Sequence, residues 1–201
     1  MPINDSERHR RSIRLREYDY TLAGGYFITI CTHQRQPLFG TITDGVVTLS
    51  RAGEIVRQCW LDLPRSFPFV ELDAFVVMPN HMHGVIVLIT DHNRGNGEGE
   101  AFPLNLGCET QAITGNASPL RPQLHLACGT RSGSLPAIIQ NYKSDSTRKV
   151  NKHNKTPGSP LWQRNYYEYV IRNHYSLDEI RDYIEANPST WLRDEYNADN
   201  R

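Results

Sequence analysis

Two histidines that could bind a metal interrupt an apolar segment of the chain. His81 and His83 follow Pro79 and Asn80 within residues 75–88, which are otherwise almost entirely apolar. Side chains alternate between the faces of a β-strand, so both imidazoles are predicted to point the same way. Neutral imidazole is the commonest metal ligand in proteins, and buried imidazoles are costly without a partner. The pair therefore predicts a site for a divalent cation, with two hydrogen-bonded histidines as the alternative.

A second pair of chemically useful side chains is predicted near the C-terminus. Ser176 and Glu179 form a capping box that predicts the start of a helix, and Pro188 predicts its end at about Asn187. Tyr183 and Asn187 are four residues apart and therefore share one side of this helix. The apolar stripe of the helix consists of Leu177, Ile180 and Ile184. The helix thus presents a phenol and a carboxamide together, although an ordinary edge tyrosine and a C-cap asparagine fit the pattern as well.

Several further segments occur in an order and spacing that match a known family. They are residues 25–32, 35–40, 76–84, 133–135, 142–144, 162–173 and 183–188. Over nearly its whole length the chain resembles the single-tyrosine HUH transposases, and most of all the REP-associated tyrosine transposases of bacteria. This resemblance implies one HUH endonuclease domain over residues 1–201. It also implies that His81 and His83 bind the metal, that Tyr183 is the nucleophile and that Asn187 is a third ligand.

The chemistry of these residue types is consistent with that resemblance. A phenol with an ordinary pKa of about 10 is a poor nucleophile, and a divalent cation offsets the charge of a scissile phosphate. Two imidazoles and an amide oxygen suit Mg²⁺ or Mn²⁺, and Mn²⁺ accepts nitrogen ligands more readily. The resemblance implies cleavage and rejoining of single-stranded DNA, beside hairpin or palindromic repeats, through a 5′-phosphotyrosine intermediate.

Composition narrows the class of protein. The 201 residues are 38% hydrophobic and include four cysteines without metal-binding spacing, which predicts free thiols. The longest apolar run is too short to span a bilayer, and the arginine-rich start lacks the apolar core of a secretory signal. We therefore expect no membrane association and a cytoplasmic location, to which the resemblance adds the bacterial nucleoid.

Charge is balanced overall but unevenly distributed. Lys and Arg total 22, as do Asp and Glu, yet two segments are strongly basic. A basic N-terminal arm over residues 1–18 carries Arg8, Arg10, Arg11, Arg14 and Arg16. A second set of candidate DNA contacts consists of Lys143, Arg148, Lys149 and Arg164. Such clusters are typical of phosphate contacts, although a solvated helix face explains the second cluster equally well.

The order of predicted elements indicates the architecture. Strands are predicted at residues 25–33, 70–77, 82–89 and 166–171, and helices at residues 52–63 and 135–150. A hairpin is predicted from residues 38–42 and 46–49 around Asp44-Gly45, and a long flexible insert at about residues 91–132. The order βαββαβ indicates an α+β fold with a ferredoxin-like antiparallel sheet. We expect its helices on one face and an appended C-terminal helix carrying the tyrosine.

Two other functions and two assembly states remain open from the sequence. A non-cleaving module for single-stranded nucleic acid would need no nucleophile, and a metal-dependent phosphodiesterase would use water. The protein could act as a monomer or as a homodimer in which the tyrosine helix completes the partner's site. Trp162, Tyr166 and Tyr167 are candidates for stacking on bases, with burial in the core as the alternative for at least two of them.

Overall fold

The computed structural model describes residues 18–89, 131–194, 196 and 197. The basic arm, apart from Tyr18, and the predicted insert, apart from its last two residues, lie outside the described residues. The five arginines of the arm therefore receive no structural account. In the described part of the chain, no helix is long and apolar enough to cross a membrane. The two cysteines in this part, Cys31 and Cys59, are free thiols, as predicted.

The chain builds a mixed α+β fold around one main sheet. The strands are β1 (Gly24–Cys31), β2 (Gly40–Thr43), β3 (Val46–Leu49), β4 (Val70–Val77), β5 (His81–Leu88) and β6 (Tyr167–Ile171). The α-helices are α1 (Arg51–Leu61), α2 (Leu63–Ser66), α3 (Leu135–Asn154) and α4 (His174–Thr190). The main sheet has the order β4-β5-β1-β6, and each neighbouring pair is antiparallel. This order confirms the predicted ferredoxin-like fold class.

The hairpin and the first helix follow from local sequence signals. Asp44 and Gly45 both have positive φ, 51° and 75°, as the tight turn between β2 and β3 requires. The Ser50 side chain accepts a hydrogen bond from the Gly53 amide and so caps α1. The first helix was predicted to continue to Leu63, but it ends at Leu61, and Leu63 begins the short helix α2.

One face of the sheet carries the large aromatic core under α1 and α3. Trp60 of α1 packs against Tyr142 of α3, with ring centroids 5.3 Å apart, and both side chains are buried. Gly84 of β5 lies directly beneath this indole. A Cβ atom at Gly84 would come within 2.5 Å of Trp60 Cζ2, so the close approach of helix and strand requires glycine there.

The opposite face of the sheet is covered by α4. Leu177 and Ile184 are buried against a small cluster from the sheet, and Ile180 packs beside them, which confirms the predicted apolar stripe. The sheet residues of this cluster are Phe27, Val85, Val87 and Ile171. An ion pair also holds the helix against β4. Arg181 donates from Nε to Asp73 Oδ1 at 2.9 Å and from Nη2 to Asp73 Oδ2 at 2.7 Å.

Both predicted ends of this last helix are wrong. Asn173, not Ser176, is the N-cap, and its side chain accepts a hydrogen bond of 2.8 Å from the Ser176 amide. The helix also passes through Pro188 and ends at Thr190. Proline disfavours but does not forbid a helix, and here the Thr190 and Ser189 hydroxyls donate to the Ala186 carbonyl in the last turn. Asn187 consequently lies inside the helix, where it is buried, and not at a solvated C-cap.

Candidate active site

The two histidines lie side by side where β5 begins. In the antiparallel register His81 faces Cys31 and His83 faces Thr29, so both imidazoles point to the α4 side of the sheet. Both side chains are buried, and their Nε2 atoms are 3.0 Å apart. The predicted common face of the pair is therefore observed.

Each imidazole is oriented by a hydrogen bond at its other nitrogen. His81 Nδ1 lies 2.9 Å from Asn80 Oδ1, and His83 Nδ1 lies 2.8 Å from Thr29 Oγ1. The Asn80 Nδ2 atom already donates to two backbone carbonyls, so Asn80 Oδ1 accepts and His81 Nδ1 carries the proton. The Nε2 atom of His81 is left with a lone pair that faces the space between the two rings.

Burial keeps both rings neutral. It lowers the pKa of His81 to about 2, and the neighbouring His83 and Arg35 charges act in the same direction. Burial likewise lowers the pKa of His83 to about 3. Because neutral imidazole is the form that binds metals, protons compete weakly for these nitrogens near neutral pH.

Tyr183 reaches the histidine pair from α4. Its hydroxyl oxygen is 3.3 Å from His83 Nε2, while 46% of the residue surface is exposed. Phe27 stacks on the His83 ring, with centroids 5.5 Å apart and planes 19° apart, and meets Tyr183 edge to face. The phenol therefore has one side against a potential metal ligand and the other side open to a substrate.

Asn187 lies one helical turn beyond Tyr183, on the same side of α4. Its amide is close enough to His81 to oppose the lowering of that pKa. Within the described part of the chain, however, its buried Oδ1 has no hydrogen-bond partner. A buried acceptor of this kind is costly unless something binds it, and a cation would do so.

The sequence did not indicate how closely the segment after α4 covers His81. The Trp191 and Tyr196 rings lie 6.0 and 4.6 Å from the His81 ring. The Asp194 Oδ2 atom is 3.8 Å from His81 Nε2. These residues belong to no regular strand or long helix, so neither periodicity nor capping could have assigned them to the site.

The donor set fits a divalent cation. Two nitrogens 3.0 Å apart have the spacing of neighbouring ligands on one ion, since bonds of about 2.1 Å at right angles end about 3 Å apart. Over the described ranges, no group of three or more His, Cys, Asp or Glu side chains forms such a site. The Asn187 oxygen has the right chemistry for a third protein ligand.

The predicted DNA contacts separate into two locations. Lys143, Arg148 and Arg164 line a groove of about 810 Å³ between α3 and the segment before β6, together with Lys152 and Lys155. Lys149 lines a different depression, beside α1. Both Arg148 and Lys149 form ion pairs with Asp145, and Lys143 donates to the Gln163 and Arg164 carbonyls.

The three candidate stacking aromatics also separate. Trp162 is buried and donates from Nε1 to Ser146 Oγ at 2.9 Å, and Tyr166 packs against the same core. Tyr167 is 45% exposed and lies on the α4 side of β6, next to Phe27. The expectation that at least two of the three fill the core is confirmed.

Comparison with known proteins connects this arrangement to a family. Residues 124–187 match the family model of IS200-like transposases. An uncharacterized protein of Haemophilus influenzae is 38% identical over 196 residues, which is 98% of this chain and 97% of that protein. A solved REP-associated tyrosine transposase bound to a REP hairpin shares the fold, with a TM-score of 0.52 at 19% identity, over 89% of this chain and 73% of that one. The matched segment contains α3, β6 and Tyr183, and we conclude that the chain belongs to the family of IS200-like transposases.

Proposed function

We propose that this transposase is a metal-dependent single-strand endonuclease and strand transferase with Tyr183 as its nucleophile. The observation that carries the proposal is the position of Tyr183, whose hydroxyl is 3.3 Å from His83 Nε2 and whose residue surface is 46% exposed. A nucleophile must reach both the ion that binds the phosphate and the phosphate itself. The contact with His83 supports the first requirement, and the exposure of Tyr183 supports the second.

The residues that would hold the ion are His81, His83 and Asn187. A bound Mg²⁺ or Mn²⁺ would act as a Lewis acid that offsets phosphate charge and stabilises the leaving 3′-oxygen. His83 Nδ1 would then donate to Thr29 Oγ1, which leaves its Nε2 lone pair for the ion. Asp194 lies within reach as an additional anionic ligand.

Tyr183 would attack the scissile phosphorus with its hydroxyl oxygen. The new bond joins the tyrosine oxygen to the 5′-phosphate and the bond to the 3′-oxygen breaks. The phenol proton leaves to solvent, and the 3′-oxygen takes up a proton from solvent to become a hydroxyl. The reverse attack by a 3′-hydroxyl restores the phosphodiester and frees Tyr183, so no external energy source is needed. Because Tyr183 lies beside the histidine of its own chain, the arrangement supports attack within one monomer.

The proposed partner is single-stranded DNA beside a hairpin or palindromic repeat. The basic groove on α3 offers Lys143, Arg148 and Arg164 to a phosphate backbone, and its lining contains no acidic residue. The structural neighbour that binds a REP hairpin supports the same kind of partner. Because repeats of this kind lie in the chromosome, the protein would act in the bacterial cytoplasm, at the nucleoid.

A covalent adduct tests the proposal directly. Wild-type protein with Mn²⁺ and end-labelled hairpin DNA should give a protein–DNA band that survives denaturing electrophoresis. The Tyr183→Phe variant should bind the DNA but give no band, since it lacks only the hydroxyl. Tyr175→Phe is the matched control, because Tyr175 is a 73% exposed tyrosine on the same helix.

Three results would contradict the proposal in different ways. An adduct formed by Tyr183→Phe would exclude Tyr183 as the nucleophile. Cleavage without an adduct would favour a phosphodiesterase that activates water. Binding without cleavage across several hairpin sequences would favour the non-cleaving module.

A further inference from the structure

A further cavity opens beside the nucleophile, between the edge strand β6 and α4. It has a volume of about 280 Å³ and is lined by four aromatic rings, those of Phe27, Tyr167, Tyr169 and Tyr183. Ser176 and Glu179 of α4 supply polar groups at the same cavity. Neither the residues of the basic groove nor the proposed metal ligands are among those that line this cavity.

The register of the sheet explains why the rings gather there. Tyr169 pairs with Phe27 and Tyr167 pairs with Thr29, so both tyrosines point to the α4 side with the histidine pair. Strand β6 is the edge of the sheet, and its tyrosines are consequently 45% and 41% exposed. Phe27 meets both Tyr167 and Tyr183 edge to face, at centroid distances of 6.4 and 6.1 Å. The cavity is therefore aromatic on several sides and accessible from the edge of the sheet.

We propose that this cavity binds one unpaired nucleobase of the substrate strand, next to the scissile phosphate. Exposed aromatic walls are typical of sites that stack bases, because every base has a π-face. Tyr183 is both a wall of the cavity and the nucleophile, so a base held against it brings its own phosphate to the hydroxyl. This inference rests on the proposed function, and it adds a base-binding subsite that the metal and tyrosine chemistry does not require.

The cavity also accounts for selection of a single strand. A base in a duplex is stacked and paired on both sides, and it would have to leave the helix to enter between α4 and β6. The substrate must therefore be unpaired at the nucleotide that flanks the cleaved bond. A hairpin substrate meets this condition only outside its stem.

Glu179 gives the subsite a preference among bases. An ionised carboxylate only accepts hydrogen bonds, so it favours bases that present an exocyclic amino group. Adenine, cytosine and guanine carry such a group with two N–H donors, whereas thymine offers a carboxylate only its ring N3–H. Thymine at the flanking position should bind more weakly than the other three bases.

The test uses 2-aminopurine, a fluorescent base, placed in turn at each unpaired position of the hairpin oligonucleotide. Binding to non-cleaving Tyr183→Phe protein should quench the fluorescence most at the position next to the cleavage site. In that background, Tyr167→Ala and Tyr169→Ala should each remove most of the quenching at that position. Each should also lower affinity by about 10-fold, the scale of one lost base-stacking contact.

Matched variants separate stacking from indirect effects. Tyr175→Ala removes an equally large exposed tyrosine from α4 whose own ring does not line the cavity, and it should leave the stacking-dependent quenching unchanged. Because the Glu179 carboxylate is close enough to raise the pKa of the Tyr175 phenol, the same control detects any effect carried through that carboxylate. Glu179→Gln should reduce the disadvantage of thymine without abolishing quenching.

The outcomes distinguish this inference from the proposed chemistry. If wild-type protein forms the adduct but both cavity variants bind and quench like Tyr175→Ala, the base site is wrong and the nucleophile stands. If quenching depends on Tyr167 and Tyr169 but no adduct forms with wild-type protein, the base site stands and the endonuclease proposal fails. Equal quenching at every unpaired position would also overturn the base site.

Discussion

The two faces of the sheet differ in what they bury. The face under α1 and α3 buries large apolar rings, with Trp60, Tyr142 and Phe39 almost fully enclosed. The face under α4 has a smaller apolar cluster, and beside it lie two neutral histidines and an asparagine with an unbonded oxygen. The first arrangement stabilises the fold, and the second costs stability until a ligand binds. Stability and proposed chemistry are therefore assigned to opposite faces of one sheet.

The largest loss of stability should come from the aromatic face. Trp60→Ala removes a fully buried indole and leaves a cavity over Gly84, so the free energy of unfolding should fall by about 3–5 kcal/mol. Urea denaturation followed by circular dichroism measures this loss. If Trp60→Ala were as stable as wild type, the assignment of stability to this face would be wrong.

The second-largest loss of stability should come from acid, which acts on the histidines of the α4 face. The pKa values of His81 and His83, about 2 and 3, lie below the ordinary value of 6.5, so the unfolded chain binds more protons below pH 6.5. This contribution to stability is complete above pH 6.5 and is lost as the pH falls towards 3. Between pH 7 and pH 5 the metal-free protein should lose about 2 kcal/mol per histidine.

Urea titrations of the metal-free protein at several pH values measure that slope. His81→Gln should make the slope shallower, because one buried imidazole is gone. His153 is exposed on α3, and His153→Gln should leave the slope as in wild type. If the free energy of unfolding fell equally with pH in all three proteins, protonation of the histidine pair would not be the cause of the acid destabilisation.

A smaller loss should follow from the ion pair that fixes α4. Arg181→Lys keeps the charge but loses the two parallel hydrogen bonds to Asp73, and the partly exposed pair should cost about 1 kcal/mol. Tyr183 is two residues further along the helix, so the adduct yield should fall more than stability does. Matched denaturation and adduct assays test this; unchanged adduct yield would mean that other contacts position the helix.

Tyr183→Phe should have the smallest effect on stability. The residue is nearly half exposed and the contact of its hydroxyl with His83 is long, so the free energy of unfolding should change by less than about 0.5 kcal/mol. The same variant should lose the covalent adduct completely. A loss of stability comparable to that of Trp60→Ala would make Tyr183 a structural residue and remove the contrast between the two faces.

The sequence predicted the parts of the molecule that depend on local patterns. The alternation of side chains along a strand predicted that His81 and His83 share one face, and Asp44-Gly45 predicted the turn of the hairpin. The ends of α4 were wrong because Asn173 outcompetes Ser176 as the cap, and because packing of the helix tolerates Pro188. The proximity of Tyr183 to His83, 100 residues apart in sequence, came from the family resemblance and not from any local pattern.

Tertiary contacts without a repeating pattern could not be predicted. Nothing local indicates that Trp191 and Tyr196 lie over His81, or that Tyr167 and Tyr169 open onto a cavity beside Tyr183. These contacts depend on where α4 docks on the sheet. The docking in turn depends on the pairing of Arg181 with Asp73, which lie 108 residues apart in the sequence.

The rings over His81 also have a kinetic consequence. Both imidazoles are buried, and Trp191 and Tyr196 cover His81, so on the His81 side an ion could enter or leave only when this segment lifts from the sheet. Exchange of metal would then follow the opening of the segment and not the lifetime of the individual ligand bonds. A protein folded with one ion should keep that ion through brief exposure to another. Its activity would then depend on which metal was present when it folded.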